Sequence, residues 1–295
     1  MDKINAFLNS VKDLPAFPRT AIDFMKLSKD PKTSLHDIGK FISKDSTLST
    51  KILKLANSPF YNRGREIKSI NQAVVLLGLD IIKGIVLSLS IIRMFPMKVS
   101  GKEFDRTLFW DHSVATAFIA RKLSKDFSLW GPDEAYTAGL IHDIGKLLYN
   151  QFFPDDYDLV VSRALKGKDR YIDIEKDVFG YTHSEFGFKI AEKWNLPLEL
   201  KEAIRDHHKI SDDTKNRLLV AIVGFSNVFS KQIGYNFPWE FEPLILNENE
   251  FWKIMVSENK KLEELDEAFF TFEMREMKEK IEELIKELIK ESLEG

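Results

Sequence analysis

The chain has 295 residues, 44% of them hydrophobic and 30% charged, with no cysteine and a net charge of −3. This length and composition suit one large globular domain or two small ones and exclude a disordered chain; the lack of cysteine excludes disulfides, thiolate metal sites, iron–sulfur clusters and cysteine nucleophiles. The slightly acidic balance argues against nucleic-acid binding through bulk charge, and the small basic cluster Arg63, Arg65 and Lys68 reads as solvated loop.

Almost every segment has a 3.6-residue period, so the expected fold class is all-α. Ile22, Met25 and Leu27 begin a helix after Pro15 and Pro18. Thr33-Ser34 with Asp37 form a capping arrangement before a helix with Leu35, Ile38, Phe41 and Ile42 on its apolar face. Asp45-Ser46 cap the next, with Leu48, Ile52, Leu53 and Leu55 inward, and Asn57-Ser58-Pro59 ends it. Ile70–Leu77 and Ile81–Met94 are apolar enough to be buried, and Pro96–Glu103 is the expected boundary between two lobes. Asp80 and Lys83 interrupt the most apolar stretch, whose uncharged part Gly84–Ile92 is shorter than the about 20 residues that span a bilayer. With no signal peptide visible at Met1-Asp2-Lys3-Ile4-Asn5, the expectation is a soluble, cytoplasmic protein without a membrane partner.

The second lobe continues with helices over Phe104–Phe127 and Pro132–Phe152, and Pro154, Gly167 and Gly180 punctuate shorter pieces. Thr182-His183-Ser184-Glu185 is a capping box opening a helix to Trp194, followed by helices over Pro197–His208 and Asp213–Gln232. The chain then turns aromatic and irregular (Tyr235, Phe237, Pro238, Trp239, Phe241). It closes on Glu273–Leu293, where Met274, Met277, Ile281, Leu284 and Leu288 recur at 3-4-3-4 spacing. That pattern fits a short coiled coil, but a terminal helix docked on its own domain is preferred because fewer than three heptads are present. The expected organisation is an N-terminal helical lobe (1–97) packed against a second helical lobe (98–235), with a C-terminal extension (236–295) ending in an amphipathic helix. Oligomeric state is open, a homodimer included.

Six histidines are present, and five (His112, His142, His183, His207, His208) fall between residues 112 and 208. Histidine with carboxylate is the natural ligand set for iron, manganese, zinc, cobalt or nickel once cysteine is absent. His142-Asp143 interrupts an otherwise apolar run, Gly139-Leu140-Ile141-His142-Asp143-Ile144-Gly145-Lys146-Leu147-Leu148. Burying such a pair costs several kcal/mol unless something compensates it, and a cation would do so. Read as mid-helix, the two side chains point about 100° apart and reach one ion only over the edge they share. The five-residue string His142–Lys146 also occurs at His36–Lys40, but with different flanks and no other histidine nearby, so that copy reads as a solvated helix face.

Phe109-Trp110-x-His112 followed by Gly139–Lys146 resembles the HD superfamily of metal-dependent phosphohydrolases. The N-terminal half sharpens the resemblance. Leu14-Pro15-x-Phe17-Pro18, Asp45-x-x-Leu48, Leu55-Ala56-Asn57-Ser58-Pro59-Phe60-Tyr61 and Ile67-x-Ser69-Ile70-x-x-Ala73-Val74-x-x-Leu77-Gly78 are similar to the HDOD (HD-related output domain) pattern, over about residues 12–230. The resemblance implies a bacterial, all-α signalling module with an HD-like second lobe. Its input would come from a separate protein partner or from the C-terminal extension. It also implies that His112, His142 and Asp143 are metal ligands and that Lys146 is the lysine near substrate phosphate in catalytic relatives. His183, His207 and His208 match the further histidines of two-metal enzymes. The last expected ligand is an Asp, and its place is taken by Asn227, a neutral and weaker donor. Lys209-Ile210-Ser211-Asp212-Asp213 lacks the Gly-Tyr-Pro of the HD-GYP branch, so cyclic di-nucleotide hydrolysis is not expected.

Two readings follow. The favoured one is a signalling module that keeps the HD scaffold, with one or two divalent transition ions (iron, manganese, zinc or nickel), for binding or output. The alternative is a phosphohydrolase acting on a phosphate-containing small molecule, with Lys146 and Asp143 in catalytic roles.

Overall fold

Short polar side chains set where the helices begin. In the computed structural model the described residues are 4, 7–8, 14–62, 64–95, 103–167, 169–236, 244–264, 278–279, 281–283 and 285–286. Among them every regular element is a helix and none is a strand, so the fold is all-α. The chain divides into two compact units, Pro15–Pro96 with Glu279–Gly295, and Met1–Leu14 with Met97–Lys278.

The first of these contains α1 (Arg19–Lys29), α2 (Leu35–Ser43), α3 (Ser46–Asn57), α4 (Ile70–Leu77) and α5 (Leu79–Ile92). Ser34 and Asp37 close the capping box of α2, Asp45 accepts from the Leu48 amide at 2.9 Å to start α3, and Ser69 with Gln72 caps α4. Gly78, at φ 81°, turns α4 into α5 through a 114° bend. This makes α5 begin at Leu79, two residues before the sequence pattern suggests. Its stretch from Gly84 to Ile92 is wholly buried, so its all-round apolar character is that of a core helix. Among the described residues no single helix is long and apolar enough to cross a membrane. His36 and Asp37 are exposed, as is Leu35 (46%), which the periodicity places on the inner face.

The second unit contains α6 (Arg106–Asp126), α7 (Pro132–Ile141), α8 (Ile144–Phe152), α9 (Pro154–Ala164), α10 (Tyr171–Phe179), α11 (His183–Lys193), α12 (Leu198–Asp206), α13 (Arg217–Gln232) and α14 (Glu250–Glu258). The continuous helix expected over Pro132–Phe152 is broken at His142-Asp143, where Asp143 leaves the helical region (φ −97°, ψ 12°) and caps α8. On α13, a Cβ at Gly224 would meet the Phe251 ring at 2.6 Å, so α14 lies close on α13. Of Glu273–Leu293 only 278–279, 281–283 and 285–286 are described; they are helical, with Ile281 and Ile285 buried. Met274, Met277, Leu284 and Leu288, and the aromatic residues Phe237, Trp239 and Phe241, lie outside the described residues.

Two glycines decide how closely the site-bearing helices approach. A Cβ at Gly139 would lie 2.8 Å from the Ala117 Cα, so α6 and α7 pack backbone to backbone. A Cβ at Gly145 would collide with the His183 carbonyl, with Gly187 N 3.1 Å away, so α8 and α11 meet through glycines. This close packing brings His112 towards His142 and Asp143 towards His183. Gly145→Ala is therefore expected to destabilise the protein by about 1–3 kcal/mol or more by overpacking, read as a lower urea midpoint, whereas Ala substitution at exposed Glu192 on α11 stays within about 0.5 kcal/mol.

Candidate metal centre

Each histidine of the cluster sits where the backbone aims it. His112 is on α6, which starts with Asp105 accepting from the Thr107 and Leu108 amides. His142 and Asp143 occupy the α7–α8 break, which frees them from the 100° spacing of a continuous helix. His183 is the first residue of α11, fixed by the reciprocal Thr182–Glu185 capping box. His207 caps the C-terminus of α12 and His208 follows it. The chain beyond is held by two carboxylates of α12. Glu202 accepts from the amides of Lys215 and Asn216, and Asp206 accepts from Arg205, Ser211 and Thr214.

Asp143 lies at the centre. Its Oδ1 is 3.1 Å from His183 Nε2 and 3.2 Å from His207 Nε2; its Oδ2 is 3.4 Å from His142 Nε2 and 3.7 Å from His112 Nε2. His208 Nε2 approaches His183 Nε2 at 3.0 Å. Two overlapping groups result, His112–His142–Asp143 and Asp143–His183–His207–His208, the donor atoms of each lying within 4.8 Å of one another. His112, His142, Asp143, Lys146, His183 and His207 are fully buried, and His208 is half-buried.

For four of the rings a partner on the far side fixes the tautomer. The Nδ1–H of His112 donates to the Tyr235 carbonyl (2.9 Å), that of His142 to the Gly139 carbonyl (2.7 Å), and that of His207 to the Ile204 carbonyl (2.9 Å). His183 Nδ1–H donates to Glu175 Oε2 at 2.6 Å. Assigned this way, the Nε2 atoms turn lone pairs inward, as metal-ligating imidazoles do. His112 Nε2, His142 Nε2 and Asp143 Oδ1 are buried without a hydrogen-bond partner, a costly arrangement that a cation would relieve. The residues present therefore fit a divalent ion.

Electrostatics agree. Burial pushes the imidazoles of His112 and His208 well below their usual range and that of His207 down to about 4, which keeps these rings neutral. Burial would raise the Asp143 carboxyl, but Lys146 and the surrounding histidines hold it well below the ordinary range. His183 shifts upward, because the Glu175 and Asp143 carboxylates outweigh its burial, so a proton there competes with an ion.

Asn227, on α13, is buried, and its Oδ1 has no hydrogen-bond partner. It lies one turn before Ser230, whose Oγ is 3.2 Å from His112 Nδ1. Lys146 donates to Asp143 Oδ2 at 2.8 Å and lies 5.3 Å from the centroid of the Tyr171 ring. Sequence reasoning missed Glu175. This fully buried carboxylate accepts the His183 amide, the His183 ring and, through Oε1, the Tyr157 hydroxyl, which itself accepts from the Tyr171 hydroxyl. A signal was available: with Tyr171, Ile174 and Phe179, Glu175 falls on the apolar face of its helix.

Asp206 gives a pH test. Burial raises its carboxyl, but the bonds from Arg205, Thr214 and Ser211 outweigh this and hold it below the usual carboxylate range. A lowered folded-state pKa contributes stability that is present above the unfolded value and lost as pH falls through the folded one. The stability gap between wild type and Asp206→Asn is thus expected to be constant from pH 7 to about 5 and to narrow below about pH 4, followed by urea unfolding at each pH.

Comparison with protein-family profiles matches the HDOD domain over residues 14–210. A protein of Treponema pallidum, uncharacterized, is 25% identical over 238 residues, which cover 79% of this chain and 45% of that one; the chain thus spans about half the length of this relative. Among solved structures, an HDOD domain protein of unknown function from Geobacter sulfurreducens is 25% identical, covers 97% of each chain and superposes with a TM-score of 0.80. A protein of Marinobacter aquaeolei provisionally described as acting in signal transduction is 20% identical, with a TM-score of 0.73 over 97% of this chain and 60% of that one. A Shewanella amazonensis protein provisionally described as a phosphohydrolase is 22% identical, with a TM-score of 0.68 over 97% of each. The last two likenesses speak to the fold. With the profile spanning more than half of its length and the histidine–aspartate cluster in place, the chain belongs to the HDOD domain family.

Proposed function

We propose that this chain is a cytoplasmic regulator in bacterial signal transduction whose buried histidine–aspartate centre serves as a metal-stabilised scaffold for binding a signalling protein partner, rather than as a robust catalyst. The observation that carries this reading is the burial of the centre. Every donor except His208 is fully buried, and so is Lys146, whose ammonium is committed to Asp143 instead of facing a substrate. The ligands proposed are His112, His142, Asp143, His183, His207 and His208, with Asn227 as a neutral oxygen donor. They would hold one or two divalent transition ions, of which iron, manganese, zinc and nickel suit this donor set. The description of the Marinobacter relative, of similar fold, is in keeping with a signalling role.

Bound there, a divalent ion would supply the positive charge that the inward-facing lone pairs lack, and Lewis acidity if the site were open to substrate. The protein's part is to fix the donors. Glu175 orients His183, the Tyr235 carbonyl orients His112, and the backbone carbonyls of α7 and α12 orient His142 and His207. The second reading, a phosphohydrolase acting on a phosphate-containing small molecule with Asp143 and Lys146 in catalytic roles, is favoured by the half-buried His208, which gives the centre a rim towards solvent.

Elemental analysis of protein purified without chelator or affinity-tag metal tests the proposal. About one or two equivalents of a transition metal are expected in the wild type and none in His183→Ala, with no metal-dependent turnover of phosphomonoesters or nucleotides. Robust turnover that disappears in His142→Ala would establish the hydrolase reading instead. At a free ion concentration of 100–1,000 times Kd the bound ion should stabilise the fold by about 3–4 kcal/mol, so a chelator is expected to lower the thermal midpoint of wild type and leave that of His183→Ala unchanged. Glu175→Gln is expected to weaken ion binding by about 10–100-fold, because it loosens the orientation of His183, measured by competition with a chromophoric chelator.

A further inference from the structure

Asp143 is shared by both donor groups, and its two oxygens are in different situations. Oδ1, between His183 and His207, accepts no hydrogen bond although it is buried. Oδ2, towards His142 and His112, already accepts from the Lys146 ammonium at 2.8 Å. The lysine is fully buried and runs one helical turn from Asp143, with Tyr171 near its ammonium. Its place is therefore set by the fold and not by a surface rotamer.

The geometry points to an asymmetric centre in which Lys146 is a built-in cation on the His112–His142 side, so that a divalent ion enters first on the Oδ1 side and the Oδ2 side binds a second ion only weakly. The inference rests on the metal-binding reading above and adds an order of filling to it. On the Oδ1 side an ion meets three imidazoles, those of His183, His207 and His208, and a carboxylate oxygen with its charge unshared. On the Oδ2 side it meets two imidazoles, those of His112 and His142, and an oxygen already neutralised by an ammonium that would repel it. Lys146 is thus a positioning residue that sets how many ions the centre holds.

The test is a Co2+ titration of the metal-stripped full chain, followed by visible absorbance and calorimetry, on wild type, His183→Ala, His112→Ala, Lys146→Met and Lys146→Gln. Wild type is expected to take up one tight equivalent, with a second at least about tenfold weaker. His183→Ala should lose the tight equivalent and His112→Ala should keep it. Either Lys146 variant should tighten the second equivalent by about tenfold or more while retaining the first; Lys146→Gln covers the case that the methionine variant does not fold. Two equivalents of equal affinity in wild type, a tight equivalent that survives His183→Ala, or a second equivalent unmoved in a folded Lys146 variant would each overturn the asymmetry. Absence of Co2+ binding in wild type would overturn the metal-binding reading itself, an outcome distinct from symmetric binding.

Discussion

A carboxylate with no access to water has to be met by positive charge or by hydrogen-bond donors, and the structure around Asp143 follows from that constraint. One oxygen has the Lys146 ammonium; the other faces imidazole nitrogens that offer lone pairs. A hydrophobic interior would not keep such a group for stability alone, since a well-packed apolar replacement is often neutral or better. Its retention at the meeting point of five histidines makes sense as a site prepared for a cation.

Convergence on one point demands close helices and stiff side chains. Glycines supply the first, at Gly139 against Ala117 and at Gly145 against His183 and Gly187, where a single methyl group would force the backbones apart. Partners on the outer side of four of the rings supply the second. Carbonyls at the ends of α7 and α12, the Tyr235 carbonyl and the buried Glu175 each take one ring N–H, leaving Nε2 to face inward. The same economy appears in the loop after His208, which hangs from Glu202 and Asp206 on one face of α12.

The burial that prepares this centre for an ion also separates it from large substrates. Lys146 illustrates the tension: in the catalytic relatives that the motif resembles, this lysine lies near phosphate, whereas here it is sealed beside Asp143 and Tyr171. A domain can keep such a centre as a cross-link between helices and present its outer surface to a partner. Fold likeness is compatible with either use, because function resides in the site and not in the helical frame.

Much was legible in the order of residues. The helical period gave the all-α class, the Ser34, Asp45 and Thr182 caps marked helix starts, and the histidine spacing with Gly139–Lys146 pointed to the residues that cluster. These are local signals, fixed by backbone hydrogen bonding and by the chemistry of imidazole and carboxylate. The break at His142-Asp143 was not legible, because the string Gly139–Leu148 has no proline and reads as continuous helix. Neither was the pairing of Glu175 with His183, eight residues apart on different helices, nor the separate situations of the two Asp143 oxygens. Those were decided by tertiary structure, since only the close approach of α6, α7, α8, α11 and α12 determines which lone pairs face each other with no donor between them.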